Sequence, residues 1–74
     1  MTSDNIKKSI GSIVKALRSQ QGIYQRELAK QVNVSRTTIS ALETGAATDI
    51  LLLNRVSQAL GVNMSEIIEM AEYI

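Results

Sequence analysis

Apolar residues recur along this chain at helical steps, and the steps break into five runs. Ile6, Ile10, Ile13, Val14 and Leu17 fall at intervals of four and three, which predicts a first helix from about Asp4 to Gln21 with one buried side. Gly22 supplies the left-handed residue that closes it. Gly11 lies inside this helix, where glycine costs about 1 kcal/mol relative to alanine. Either a neighbouring backbone passes close to it or the helix is simply weaker there.

The next three runs are shorter. Leu28, Ala29 and Val32 share one face of a second helix from Gln25 to Val32, ended by Asn33, a residue that tolerates positive φ. Val34 is then an apolar plug and Ser35 an N-cap, so a third helix begins at once and runs from Arg36 to about Thr44. Only Ile39 and Leu42 are apolar at helical spacing in it, and Thr37, Thr38, Ser40 and Ala41 are small or polar. Such a helix is anchored by two side chains and shows the rest. Gly45 ends it, Thr48 with Asp49 caps a fourth helix to Leu60, Gly61 ends that, and Ser65 with Glu66 starts a fifth. The expected fold is all-α: a five-helix bundle forming one domain over residues 1–74.

Between Gln25 and Thr44 the order is helix, three-residue turn, helix, the unit that places its second helix in a DNA major groove. Here the residues resemble the lambda-repressor-like (Cro/Xre) helix-turn-helix family. The resemblance is carried by Gly22-Ile23-Tyr24-Gln25-Arg26-Glu27-Leu28-Ala29, by Val34-Ser35-Arg36-Thr37-Thr38-Ile39-Ser40-Ala41-Leu42-Glu43-Thr44-Gly45, and by Ala59-Leu60-Gly61-Val62. It implies that Gln25 and Thr44 touch backbone phosphates and set register, and that Arg36, Thr37 and Ala41 face base edges. Chemistry points the same way: Arg chelates guanine O6 and N7, and Thr and Ala methyls meet a thymine methyl. Ser40 completes the expected base-reading set, while Arg26, Ser35 and Thr38 join the phosphate set; for Ser35 and Thr38 helix capping is the competing role. The resemblance further implies that Arg18 and Glu43 pair as a partly buried salt bridge, from which removing one partner costs ~3–5 kcal/mol.

The chain departs from the family pattern in three ways. The cap before Gln25 is Tyr24 instead of a short hydroxyl residue, the loop from Glu43 to Thr48 carries no Lys or Arg, and Leu51 and Leu52 stand at usually polar positions. Ile50-Leu51-Leu52-Leu53 is therefore over-apolar for a helix with one buried side, and part of it is expected to face a partner.

Composition narrows the chemistry. With no Cys and no His, disulfides, thiol or imidazole catalysis and zinc fingers are excluded, and no cofactor or metal is expected. No glycine-rich phosphate loop or cluster of carboxylates suggests an enzyme. No apolar run reaches the ~18 residues of a membrane span and no secretion signal opens the chain, so a cytoplasmic location is expected. The net charge of +1 conceals a split: residues 1–42 hold seven basic groups against two acidic ones, and residues 43–74 hold five acidic groups against Arg55. A basic face for phosphates and an acidic one turned away from them fit this division, as do ordinary solvated helix faces.

One such unit reads only ~4–6 base pairs, so pairing on a palindromic double-stranded operator is expected. Interface candidates are Leu51 and Leu52, and Ile67, Ile68, Met70 and Ala71 of the last helix with Tyr73 and Ile74; Ile67 and Ile68 equally suit the monomer core. Three functions compete. The first is a homodimeric repressor, such as a phage or mobile-element regulator or a restriction-modification controller. The second is the antitoxin of a toxin–antitoxin pair, binding DNA and a toxin protein. The third is an interaction module that has lost DNA binding.

Overall fold

The computed structural model describes the backbone of residues 3–73 and side chains from Asn5 onward. Five helices follow in chain order: α1 (Ser3–Gln20), α2 (Gln25–Gln31), α3 (Arg36–Thr44), α4 (Ile50–Ala59) and α5 (Met64–Glu72). No strand occurs among the described residues.

Tight connections between these helices depend on one repeated closure. After α2, Asn33 takes a φ of 61° and lets the Val34 N–H reach back to the Ala29 carbonyl at 2.9 Å. Gly45 does the same after α3, where the Ala46 N–H meets the Ala41 carbonyl at 2.9 Å. Each closure satisfies carbonyls that a helix C-terminus leaves without partners, and it turns the chain within three residues. Side chains reinforce two ends: Arg55 of α4 donates to the Val32 carbonyl beyond α2, and Gln21 donates to the Leu60 carbonyl at 2.7 Å beyond α4.

The helix starts depart from sequence expectation at two places. Asp49 alone caps α4, its carboxylate accepting from the Leu52 N–H at 3.0 Å, while the Thr48 hydroxyl is buried without a hydrogen-bond partner. α5 starts at Met64, ahead of the expected Ser65. Glu66 reaches back to the Asn63 N–H at 3.2 Å, so the capping pair is Asn63 with Glu66 three residues on, and Ser65 falls inside the first turn.

The core draws on every helix: Ile10, Ile13 and Val14 from α1, Leu28 and Ala29 from α2, Ile39 and Leu42 from α3, Leu53 and Val56 from α4, and Ile67 and Ala71 from α5. α1 packs against both α3 and α5, α2 against α3, and α4 against α5 and α2. Gly11 decides how closely α1 and α3 approach, since it lies directly against the carbonyls of Leu42 and Glu43. The glycine inside α1 is thus explained by backbone approach.

Leu52, Ile67 and Ala71 were interface candidates, and the fold assigns them to the core instead: Leu52 is 9% exposed and the other two are fully buried. On α5 the inward face falls at Ile67 and Ala71, one helical turn apart, which leaves Met70 outside and Ile68 at the margin. Ile74 lies outside the described residues.

Candidate nucleic-acid interface

The helix-turn-helix is assembled from the inside outwards. Leu28 and Ala29 of α2 and Ile39 and Leu42 of α3 are all buried, and the small Ala29 allows the two helices to come together. With its anchors turned inward, α3 presents Arg36 and Thr37 to solvent and leaves Ser40 and Ala41 partly covered. Arg36, Thr37, Ser40 and Ala41 therefore lie away from the core, on an outer surface that begins at the helix N-terminus.

Several hydroxyls already have internal roles. Ser35 caps α3, its Oγ accepting from the Thr38 N–H at 3.2 Å and lying 2.9 Å from Thr38 Oγ1. Thr44 donates its hydroxyl to the Ala41 carbonyl at 3.2 Å. A phosphate contact from Thr44 thus requires its hydroxyl to rotate away from Ala41. Tyr24 stands at the N-cap of α2, 74% exposed and with its side chain making no cap bond; the start of α2 is held by the Tyr24 N–H donating to Glu27 Oε1 at 3.2 Å.

Behind this surface runs a polar chain linking three helices. Arg18 of α1 donates from Nε to Glu43 Oε2 at 2.6 Å and from Nη2 to Glu43 Oε1 at 3.1 Å. Its Nη1 donates to the Ile23 carbonyl at 2.7 Å, fixing the α1–α2 connection as well. The two side chains are 11% and 2% exposed. The hydrogen bond to Glu43 raises the Arg18 pKa above its already strongly basic range, burial opposes that rise, and the adjacent carboxylate charge adds to it.

Glu43 Oε1 also accepts from Gln25 Nε2 at 3.0 Å, and Gln25 Oε1 in turn accepts from Arg36 Nη1 at 3.2 Å. Arg18, Tyr24, Gln25, Arg26 and Arg36 line one open depression, so three guanidinium groups gather where α1, α2 and α3 meet. Sequence reasoning assigned Gln25 to phosphate and Arg36 to bases as separate residues and missed the bond between them. Nothing in the order of residues signals that an amide, a carboxylate 18 positions away and a guanidinium 11 positions away converge.

The remaining exposed apolar groups lie elsewhere. Ile50 is 60%, Leu51 75%, Met70 40% and Tyr73 91% exposed. Among the described residues there is no helix long and apolar enough to cross a membrane and no group of acidic residues placed to hold a metal ion.

A helix-turn-helix family model matches residues 14–67, from the middle of α1 into α5. An uncharacterised HTH-type transcriptional regulator of Methanothermobacter thermautotrophicus is 39% identical over 51 residues, spanning 68% of this chain and 74% of the relative. The crystal structure of the clp gene regulator ClgR from Corynebacterium glutamicum matches with a TM-score of 0.85 at 29% identity, over 92% of this chain and 90% of the other. A crystal structure of HppE is similar at a TM-score of 0.73 and 21% identity, covering 82% of this chain but 36% of that one. That last likeness concerns the fold alone.

Proposed function

The chain belongs to the Cro/Xre-type helix-turn-helix family, and from that premise we propose that it is a sequence-specific DNA-binding transcriptional regulator, acting as a homodimeric repressor. The observation that carries this reading is the division of α3 into buried anchors, Ile39 and Leu42, and an outward set beginning at Arg36 and Thr37. A helix held so firmly from behind presents a rigid edge to a major groove.

In this reading Arg36 donates to O6 and N7 of a guanine, and Thr37 and Ala41 meet thymine methyls, with Ser40 beside them. Gln25, Arg26 and the hydroxyls of Ser35, Thr38 and Thr44 lie along the adjoining backbones and set register. The connection from Gly45 to Asp49 holds no cation, so phosphate attraction rests on α1 and α2. A second copy supplies the other half-site. The groups that suit this pairing are Ile50, Leu51 and Met70, apolar side chains that the monomer leaves in water, together with the partly buried Ile68. Repression then follows from occupancy of an operator that overlaps a promoter.

Selection from a random duplex pool near physiological salt tests the proposal. The expected result is a roughly palindromic motif whose guanine preference fades in Arg36→Ala. Binding without enrichment, or enrichment indifferent to Arg36, overturns it. If the chain instead co-purifies in fixed ratio with a small protein that occupies Ile50 and Leu51, the antitoxin reading replaces homodimeric repression.

A further inference from the structure

We propose that Lys8 of α1 is a DNA-phosphate ligand at the far end of α3: it supplies, from another helix, the cation that the α3–α4 connection lacks. This deepens the DNA-reading function above and rests on it.

The far end of α3 needs such a group. A nine-residue helix is about 13.5 Å long, close to the ~12 Å width of a major groove. With Arg36 and Thr37 among the bases, the other end of α3 therefore stands at the backbone that walls the groove. That end carries the negative pole of the helix dipole, and no basic residue occupies its last turn. The connection that follows, from Gly45 to Asp49, holds no cation either. Thr44, the expected anchor there, gives its hydroxyl to the Ala41 carbonyl. A phosphate at this wall meets partial negative charge unless a cation stands between.

Packing brings Lys8 to this place. Gly45 lies so close to α1 that a Cβ built on it would stand 2.8 Å from Lys8 Cα and 2.9 Å from Lys8 Cγ. The first part of the Lys8 stem is thus seated on the glycine that ends α3, while the residue as a whole is exposed. A long amine side chain held by its stem and free at its tip is suited to reach a charge in solution. Lys8 also precedes Gly11 by one helical turn, on the side of α1 that crosses α3.

The acids of this region are engaged elsewhere. Glu43 is nearly buried, and its oxygens accept from Arg18 and Gln25. Asp49 holds the start of α4 through the Leu52 N–H. Among the described residues no acidic group pairs with Lys8.

A lysine here has one structural alternative, which is to offset the dipole of α3 within the protein alone. The two roles separate in measurement. A dipole partner changes stability, whereas a phosphate ligand changes the number of counterions released when DNA is bound.

The test follows binding of the full chain to the duplex enriched in the selection above, by fluorescence anisotropy from ~50 to ~200 mM salt. Lys8→Gln keeps the stem that Gly45 touches and removes the charge. It is expected to lessen the slope of log K against log salt by about 0.9, the share of one phosphate, and to leave the selected motif unchanged, because phosphate contacts carry no base preference. Lys8→Arg is expected to keep the wild-type slope. Lys30→Gln, exposed in the last turn of α2, controls for net charge and is expected to leave the slope unaltered.

A wild-type slope in Lys8→Gln, an equal fall in Lys30→Gln, or a lower melting temperature of Lys8→Gln with the slope intact overturns the proposal. A wild type that enriches no motif overturns the DNA-reading function and this proposal with it. A wild type that reads DNA with a slope indifferent to Lys8 overturns this proposal alone.

Discussion

A Cβ atom placed on Gly11 would lie 2.4 Å from the carbonyl oxygen of Leu42 and 2.5 Å from that of Glu43, so α1 crosses the end of α3 at a separation that only glycine permits. Both neighbours are backbone, and neither can swing aside. Gly11→Ala is therefore expected to destabilise the protein by about 2 kcal/mol or more, although alanine is favoured over glycine by about 1 kcal/mol in a helix interior. Gly61 is the control. It has a φ of 79° and no atom within 4 Å of a built Cβ, so Gly61→Asn is expected to stay close to wild type, Asn being tolerant of that conformation. Urea denaturation of the two variants checks the contrast, and equal losses would show that crowding at Gly11 is unimportant.

Arg18 and Glu43 lend themselves to a comparison of one replacement with two. Arg18→Ala strands a nearly buried carboxylate and is expected to cost ~3–5 kcal/mol, enough to unfold much of a domain this small. Arg18→Met combined with Glu43→Leu removes both charges and is expected to be markedly more stable than Arg18→Ala, read by thermal melting. If the double replacement is as damaging as the single one, the stranded charge is not the cause.

The pH dependence of this pair has a definite sign. A folded-state pKa raised above the unfolded one contributes stability below the unfolded value and loses it only as pH climbs through the folded value. For Arg18 that window lies above its ordinary, strongly basic range, so the melting temperature should show no loss attributable to this arginine from about pH 7 to 9. In Arg18→Lys, any new alkaline loss within that span would mean that the guanidinium's basicity matters as well as its geometry.

Asn33 makes the turn between α2 and α3 at a φ of 61°. Asn33→Gly is expected to be tolerated, whereas the β-branched Asn33→Val is expected to cost about 1–2 kcal/mol, because its Cβ crowds the following carbonyl in left-handed backbone. Denaturation midpoints read this directly, and DNA affinity should fall in step with the turn's distortion.

Leu51 and Leu53 are two residues apart on α4 and face opposite environments, one 75% exposed and the other 1%. Leu53→Ala is expected to cost ~2–5 kcal/mol of folding stability. Leu51→Glu should leave the monomer within about 0.5 kcal/mol of wild type yet, on the proposed homodimer, shift sedimentation from dimer toward monomer. A Leu51→Glu protein that remains dimeric would move the interface away from α4.

Most of the fold was legible from local signals, because most helix ends in this chain are made by residues acting on their near neighbours. Gly22, Gly45 and Gly61 and the less usual Asn33 end helices where the pattern predicts, and Ser35 and Asp49 cap where their side chains reach N–H groups three residues on. The start of α5 was misread for the same kind of reason. A serine beside a glutamate imitates a cap, and the true cap, Asn63, is recognised only by counting three residues back from Glu66.

Which apolar residues are inside was less legible. Periodicity marks Ile67, Ile68, Met70 and Ala71 as one apolar stretch, but only the packing of α5 against α1 and α4 turns Ile67 and Ala71 inward and leaves Met70 at 40% exposure. Likewise Leu51 and Leu52 are chemically identical neighbours, and a rotation of about 100° per residue around the helix separates the solvent-facing one from the buried one.

The amino-acid order by itself determined the five helices, most of their ends and the helix-turn-helix spacing, since these depend mainly on contacts within about five residues along the chain. Tertiary structure alone decided that Gly11 is a crossing point, that Leu52, Ile67 and Ala71 belong to the core, and that Gln25 joins Glu43 to Arg36. Those relationships span 11 to 32 residues of sequence or depend on how one helix is rotated against another. They arise when close-packed side chains leave only a single arrangement without overlap or an unpaired buried charge.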